Sequence, residues 1–242
     1  MSKKSIIIDA ISVVLIIIMA VSGYKIVTKI IDYKKDSDTY AKIQETLGPD
    51  DNFEINEKEL KSQNPDYRMW LSVDNTNISY PVVSSSDNEF YLHKDFYREK
   101  SSSGSIFMDY RNTFEYDKNV VLYGHNMRNG TMFHDLENFK KKDFWNKNSR
   151  VRIYRGEYEY VYEPFAIYVS DDSVDNIVTD FDGIKDFKSY IDTIISKSLN
   201  KNGDINESED ANSIITLSTC SYEFDDARTI LHAKLIEKNK IK

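Results

Sequence analysis

At 242 residues, with 40% hydrophobic and 13% aromatic side chains, the chain is long enough to bury one sizeable core, and one domain with an appendage is expected rather than two full domains. The 32 Lys and Arg against 40 Asp and Glu leave a net charge of -8, which excludes the positive field that a nucleic-acid reader needs. A single cysteine, Cys220, rules out an internal disulfide and leaves a free thiol, while 17 Tyr and 12 Phe against 8 Gly and 4 Pro lean the composition toward strands.

Ile6 to Tyr24 is mostly aliphatic, its one charge being Asp9, and comes close to the roughly 20 residues that cross a bilayer as a helix. Lys3 and Lys4 precede it and Lys25, Lys29, Lys34 and Lys35 follow it, so charge alone does not orient the span. The large polar remainder of the chain does: residues 1–5 are expected to form a short cytoplasmic tail, 6–24 a transmembrane signal-anchor, 25–51 a stalk, and 52–242 a globular domain outside the cytoplasm. The competing reading is a cleaved signal peptide with Ala20 and Ser22 at its site, against which stands the length of the apolar run.

The Gly48-Pro49-Asp50-Asp51 cluster marks a break after the partly helical stalk. Asn56-x-x-Glu59 reads as the cap of a short helix, and Asn64-Pro65-Asp66 as a turn leading into Met69-Trp70-Leu71. Strands are expected at Ile78–Val83, Gly104–Met108, Asn119–Tyr123, Arg150–Tyr154, Tyr158–Val169, Ser213–Thr219 and Arg228–Ile236, each bounded by turn residues. Together they suggest a mainly β (α+β) fold built on a closed or nearly closed barrel. A short helix is expected over Thr131–Phe139. A second, with Ile184, Phe187, Ile191, Ile194 and Ile195 as its apolar stripe, lies in the long connection before the cysteine strand and stops near Asn202-Gly203.

Alternation along Ile214 to Cys220 places Ile215, Leu217 and Thr219 on one face and Thr216, Ser218 and Cys220 on the other, so the thiol points out of the core. In the next strand Leu231, Ala233 and Leu235 face the core, which turns Arg228, Ile230 and His232 away from it. A thiol beside a guanidinium is favoured as thiolate, and the planar donor fork suits an oxygen that gains charge in acyl transfer. Of His93, His125, His134 and His232, only His125 ends a strand at a loop, delivered through a flexible Gly124; the other three read as surface or helix-end residues. A calcium loop starting at Asn200 fails at Ile205 and Ala211, where Gly and Glu are required, and Asp171, Asp172, Asp175, Asp180 and Asp182 read as a solvated acidic face.

Thr216-Leu217-Ser218-Thr219-Cys220 followed by Arg228, with Tyr123-Gly124-His125-Asn126 upstream, resembles the catalytic signature of sortases, the membrane-anchored cysteine transpeptidases of Gram-positive cell surfaces. The helical insert, Gly104 to Asp109 and Asp87 to Leu92 resemble class B in particular. The resemblance implies an eight-stranded barrel with N-terminal helices and a groove ending at Cys220. It implies that the Cys220 thiolate attacks a Thr carbonyl in a C-terminal sorting signal of the Asn-Pro-x-Thr type, that Arg228 and a backbone N–H hold the oxyanion, and that His125 serves as acid and then base. It implies sorting-signal-bearing surface proteins and a peptidoglycan precursor amine as partners, no metal or other cofactor, and Asn88, Leu92 and Ser218 along the substrate groove, of which the insert forms one wall. Two other readings stay open on the residues alone: a cysteine peptidase that passes its acyl group to water, and an anchored surface module that binds without catalysis.

Overall fold

The computed structural model describes residues 3–49, 55–147, 149–171, 177–200, 212–223 and 226–241. Two helices, α1 (Lys3–Leu47) and α2 (Glu57–Gln63), lead into strands β1 (Tyr67–Val73), β2 (Ser79–Val83), β3 (Ile106–Met108) and β4 (Asn119–Tyr123). After a 3-10 turn at His134–Lys140 come α3 (Lys142–Trp145), β5 (Val151–Arg155), β6 (Tyr158–Ser170), α4 (Ile184–Lys197), β7 (Ile214–Cys220) and β8 (Arg228–Lys240). The eight strands close into a barrel in the order β1-β2-β3-β4-β7-β8-β6-β5. Two neighbouring pairs, β2 with β3 and β4 with β7, run parallel, and the others are antiparallel.

All seven strands expected from alternation form, and β8 runs four residues beyond Ile236, pairing with β6 to its end. Strand β1 is the one that alternation conceals. Met69, Trp70 and Leu71 are all fully buried, because β1 is covered on both faces: the Trp70 indole donates to Ser79 Oγ at 3.0 Å and packs under the end of α1 at Gly48. A doubly covered strand reads as a continuous apolar run and loses the period-two signal.

The segment expected to be a stalk is helical as far as Leu47, where α1 ends, and the C-terminal part of α1 is docked. Asp36, Tyr40, Ile43 and Leu47 recur at three- and four-residue steps and so share one helix face. Tyr40 and Ile43 are buried, and the Asp36 carboxylate accepts the backbone N–H groups of Ser102 and Ser103 at 3.1 and 3.0 Å. The N-terminal half of α1 differs: it holds a stretch long and apolar enough to cross a membrane, and none of that stretch is buried within the protein. Helix α2 starts as its cap predicts, with Asn56 Oδ1 accepting from Glu59 N at 3.1 Å.

Helix α4 buries Phe187, Ile191 and Ile194 as expected, but Ile184, at its first turn, is 54% exposed. It stops at Lys197 rather than near Asn202 because the chain turns extended to join β6: Leu199 N donates to Ile167 O at 2.8 Å, and Ile167 N to Ser198 Oγ at 3.0 Å. The helix expected over Thr131–Phe139 forms later, as the 3-10 turn and α3. Of the acidic face, Asp171, Asp180 and Asp182 are exposed, whereas Asp172 and Asp175 and the rejected calcium loop after Asn200 lie outside the described residues.

Candidate active site

Three strand ends meet at one rim of the barrel. The parallel register of β4 and β7 sets Tyr123 against Ser218, so His125 and Cys220, each two residues further on, leave their strands at the same level. Across the antiparallel β7–β8 pair Cys220 faces Arg228 directly, and antiparallel partners project to the same side of a sheet. Cys220 is exposed and Arg228 half-buried, while Thr216, Ser218 and Thr229 next to them are buried. The thiol therefore emerges at the edge of a rigid floor, as its strand phase predicts.

His125 is half-buried, and its Nε2 lies 2.8 Å from the main-chain oxygen of Leu92. A carbonyl can only accept, so Nε2 carries the hydrogen and Nδ1 is the nitrogen left for proton transfer. Leu92 belongs to a 3-10 turn, Phe90–Leu92, held in place by Ser105 N, which donates to Tyr91 O at 3.0 Å. The class B resemblance implies a place for Leu92 along the groove; its carbonyl, which the sequence does not display, is what fixes the imidazole.

Two glycines take on definite roles. Gly124 does not supply flexibility in an unusual backbone region: it supplies room, since a Cβ there would lie 2.4 Å from Ile106 Cδ1 and 3.0 Å from the Phe133 ring. Gly104 does adopt a left-handed conformation, φ +57°, and a Cβ there would lie 2.7 Å from the main-chain oxygens of both Tyr91 and Leu92. Gly104→Ala is thus expected to cost about 1–2 kcal/mol for the backbone conformation alone and to push on the carbonyl that anchors His125. A lower denaturant midpoint together with a lower kcat per folded molecule is the expected outcome; an unchanged midpoint would show that the loop yields without cost.

A buried carboxylate braces the neighbouring wall. Asp109 is fully buried and accepts from Arg111 Nη2 at 2.7 Å, Tyr123 OH at 2.9 Å and Asn88 Nδ2 at 3.1 Å. Burial alone would raise its pKa, but the hydrogen bonds from Arg111 and Tyr123 prevail and hold it below the ordinary carboxylate range. Asn88 also accepts from Tyr110 N at 3.1 Å, so this expected groove residue is largely committed to the fold. Arg111 reaches across to Ile177 O at 3.3 Å and pins the start of the insert.

On the other side, Lys140 Nζ bonds Glu137 and Glu223, each at 2.5 Å, and Thr229 Oγ1 at 3.2 Å, tying the Cys220–Arg228 connection to the 3-10 turn. Burial would raise the Glu223 carboxyl, but bonds from Lys140 and Ser221 pull it down to about 2.

The structure thus brings Cys220, His125, Arg228, Leu92 and Ser218 to one rim, whereas Asn88 is held on Asp109 and Tyr110 in the neighbouring wall. Ser218 is only 1% exposed, and its Oγ is a buried hydroxyl without a hydrogen-bond partner among the described residues. His93 is exposed, its ring 6.4 Å from that of His125, and His134 opens the 3-10 turn. His232 departs from expectation. It is wholly buried, because the outer face of β8 is covered by α4 rather than by solvent, with Tyr190 of that helix edge-on to its ring at 6.3 Å.

Comparison with known proteins identifies the family of this fold. The sortase domain matches residues 71–236. Sortase B of Listeria monocytogenes is 33% identical over 98% of this chain and 100% of its own. The crystal structure of Clostridium perfringens sortase B superposes with a TM-score of 0.72 at 45% identity, covering 75% of this chain and all (100%) of that one. A Staphylococcus aureus sortase B–substrate complex does so with a TM-score of 0.71 at 28% identity, over 86% of this chain and 99% of that one. With the sortase domain matched over most of the barrel and a sortase B relative at 33% identity along nearly the whole chain, the chain belongs to the sortase family of transpeptidases, in its class B.

Proposed function

We propose that this sortase joins surface proteins to the cell wall by acyl transfer through a thioester on Cys220, with His125 and Arg228 as its catalytic partners. The observation that carries this reading is the convergence of the exposed thiol, its cross-strand arginine and an imidazole whose Nε2 is tied to Leu92 O. In the first half-reaction the Cys220 sulfur bonds to the carbonyl carbon of the signal's Thr, and the electron pair moves to the carbonyl oxygen. The Ser221 N–H already donates to Ala227 O at 2.6 Å, so the Arg228 fork is the donor assigned to that oxyanion. Collapse breaks the C–N bond as His125 Nδ1–H protonates the leaving amine. In the second half, an amino group of a peptidoglycan precursor attacks the thioester, gives its proton to Nδ1 and releases the thiolate.

The donor assigned here is a sorting signal of the Asn-Pro-x-Thr type, cleaved after Thr, on the strength of the class B resemblance; the solved substrate complex of the Staphylococcus aureus relative supports only that a barrel of this kind holds a substrate. Leu92 and Asn88 line its path, and Ser218, whose hydroxyl is buried, lies in the floor beneath it. The N-terminal part of α1 spans the membrane as an anchor, with residues 1–5 inside and the barrel outside. Its unburied apolar stretch supports this placement.

The test uses the full chain in detergent and a quenched peptide bearing the signal, with and without a glycine-based amine, products being identified by mass. Amine-captured peptide is expected, and alkylation of Cys220, the chain's one cysteine, should abolish it. Release of the free acid alone at high amine concentration would replace transfer by hydrolysis, and indifference to alkylation would remove Cys220 from the chemistry.

A further inference from the structure

We propose that Asn126 is a positioning residue that sets the His125 loop against the Cys220 turn, and that His134 holds its amide in the working orientation. The inference rests on the catalytic reading above and extends it to residues that do not touch substrate.

The observations begin with the β4–β7 ladder. Gly124 N donates to Ser218 O at 3.2 Å, and Thr219 Oγ1 donates back to Gly124 O at 2.7 Å. By the two-residue repeat of a parallel ladder, the carbonyl of Cys220 is next in line for a donor on Asn126. The donor that meets it, at 3.1 Å, is the side-chain Nδ2 of Asn126. The residue after the candidate base thus grips the main chain of the candidate nucleophile. Tyr222 closes the clamp from the opposite side, its hydroxyl donating to Asn126 O at 2.8 Å.

The orientation of this amide is determined. Cys220 O only accepts, so Nδ2 must face it and Oδ1 must face His134 Nδ1, 2.9 Å away. His134 must then donate, which requires the hydrogen on Nδ1. An Nε2–H tautomer would set two acceptors against each other and favour a flipped amide, with an oxygen against the Cys220 carbonyl. Asn126 is 6% exposed, so water does not readily substitute for either bond. The loop is further fixed by Phe133 N, which donates to His125 O at 2.9 Å, and by the Asn126–Met132 bridge. His125 is therefore tethered at three points: its Nε2 to Leu92, its carbonyl to Phe133, and its neighbour's side chain to Cys220.

Asn126→Asp is nearly isosteric and keeps an acceptor for His134, but it sets an oxygen against the Cys220 carbonyl. In the full chain, assayed for amine-captured product, it should lower kcat between about tenfold and a hundredfold, the scale for a reacting pair moved off line, with the donor KM little changed. His134→Asn places an amide donor where Nδ1 stands and should keep most of the rate, whereas His134→Leu should fall with Asn126→Asp. Thermal melting of each variant separates this from unfolding, because the losses are per folded molecule. A folded Asn126→Asp at wild-type kcat, a change confined to KM, or equal losses in His134→Asn and His134→Leu would each overturn the clamp. A wild-type enzyme that stays active after alkylation of Cys220 would instead overturn the catalytic reading on which it rests.

Discussion

Gln in place of His125 is expected to lower kcat for transfer by about 10²–10⁴-fold, the range for a lost general acid–base, with the donor KM little changed and the fold intact. The substitution separates two functions of one ring. The Gln side-chain amide reaches as far as Nε2 and can still donate to Leu92 O, so the anchor seen at 2.8 Å survives. It carries no titratable atom where Nδ1 stands, so the leaving amine loses its proton donor and the incoming amine its acceptor. A loss of transition-state stabilisation without a loss of ground-state binding is the signature of a group that acts only in the chemical step. Amine-dependent turnover over a range of donor concentrations reads both constants, and a His125→Gln enzyme within a few-fold of wild type would assign the proton transfer elsewhere. His93, whose ring lies 6.4 Å away, is the residue that His93→Gln would then test.

Much of this site is legible in the sequence because it is written at strand ends. The alternation through Ile214 to Cys220 puts the thiol outward, and the strand Asn119–Tyr123 fixes where His125 emerges. What the sequence conceals is of two kinds. Main-chain groups carry no sequence mark: Leu92 is readable as an apolar side chain near the groove, but its carbonyl becomes the anchor of His125 only when the Phe90–Leu92 turn folds against Gly104. The second kind is burial on both faces, which erases periodicity. It conceals β1, whose outer side lies under the end of α1, and it misplaces His232, which strand phase turns outward and α4 then covers. The docked half of α1 does carry a mark, since Asp36, Tyr40, Ile43 and Leu47 keep a helical period, but its charged composition is that of a stalk.

That covered histidine gives the barrel an acid limit above the carboxylate range. Burial, with Lys197 adding to it, pushes the His232 pKa down to about 3. The neutral ring is fully bonded. Thr216 Oγ1 donates to Asn119 Oδ1 at 2.7 Å and so accepts from His232 Nδ1–H at 2.8 Å, while Nε2 lies 3.1 Å from Tyr168 OH and can accept from it. The folded state thus excludes a proton that the unfolded chain binds near pH 6.5. The stability due to the neutral ring is fully present above that value and drains away as the pH falls toward about 3, a total on the order of 5 kcal/mol. Asp109 and Glu223, both held low, contribute only once the pH drops into and below the ordinary carboxylate range; Asp95, raised by its burial, acts in the opposite direction and does so in wild type and variant alike, so the difference between the two proteins from about pH 6 to 5 belongs to His232. Denaturant midpoints across that window should fall with pH in the wild type. In His232→Asn, which keeps a donor toward Thr216 and cannot titrate, they should be lower at neutral pH but nearly flat. Parallel slopes in the two proteins would show that the proton enters the fold elsewhere and that α4 does not seal the outer face of β8 against it.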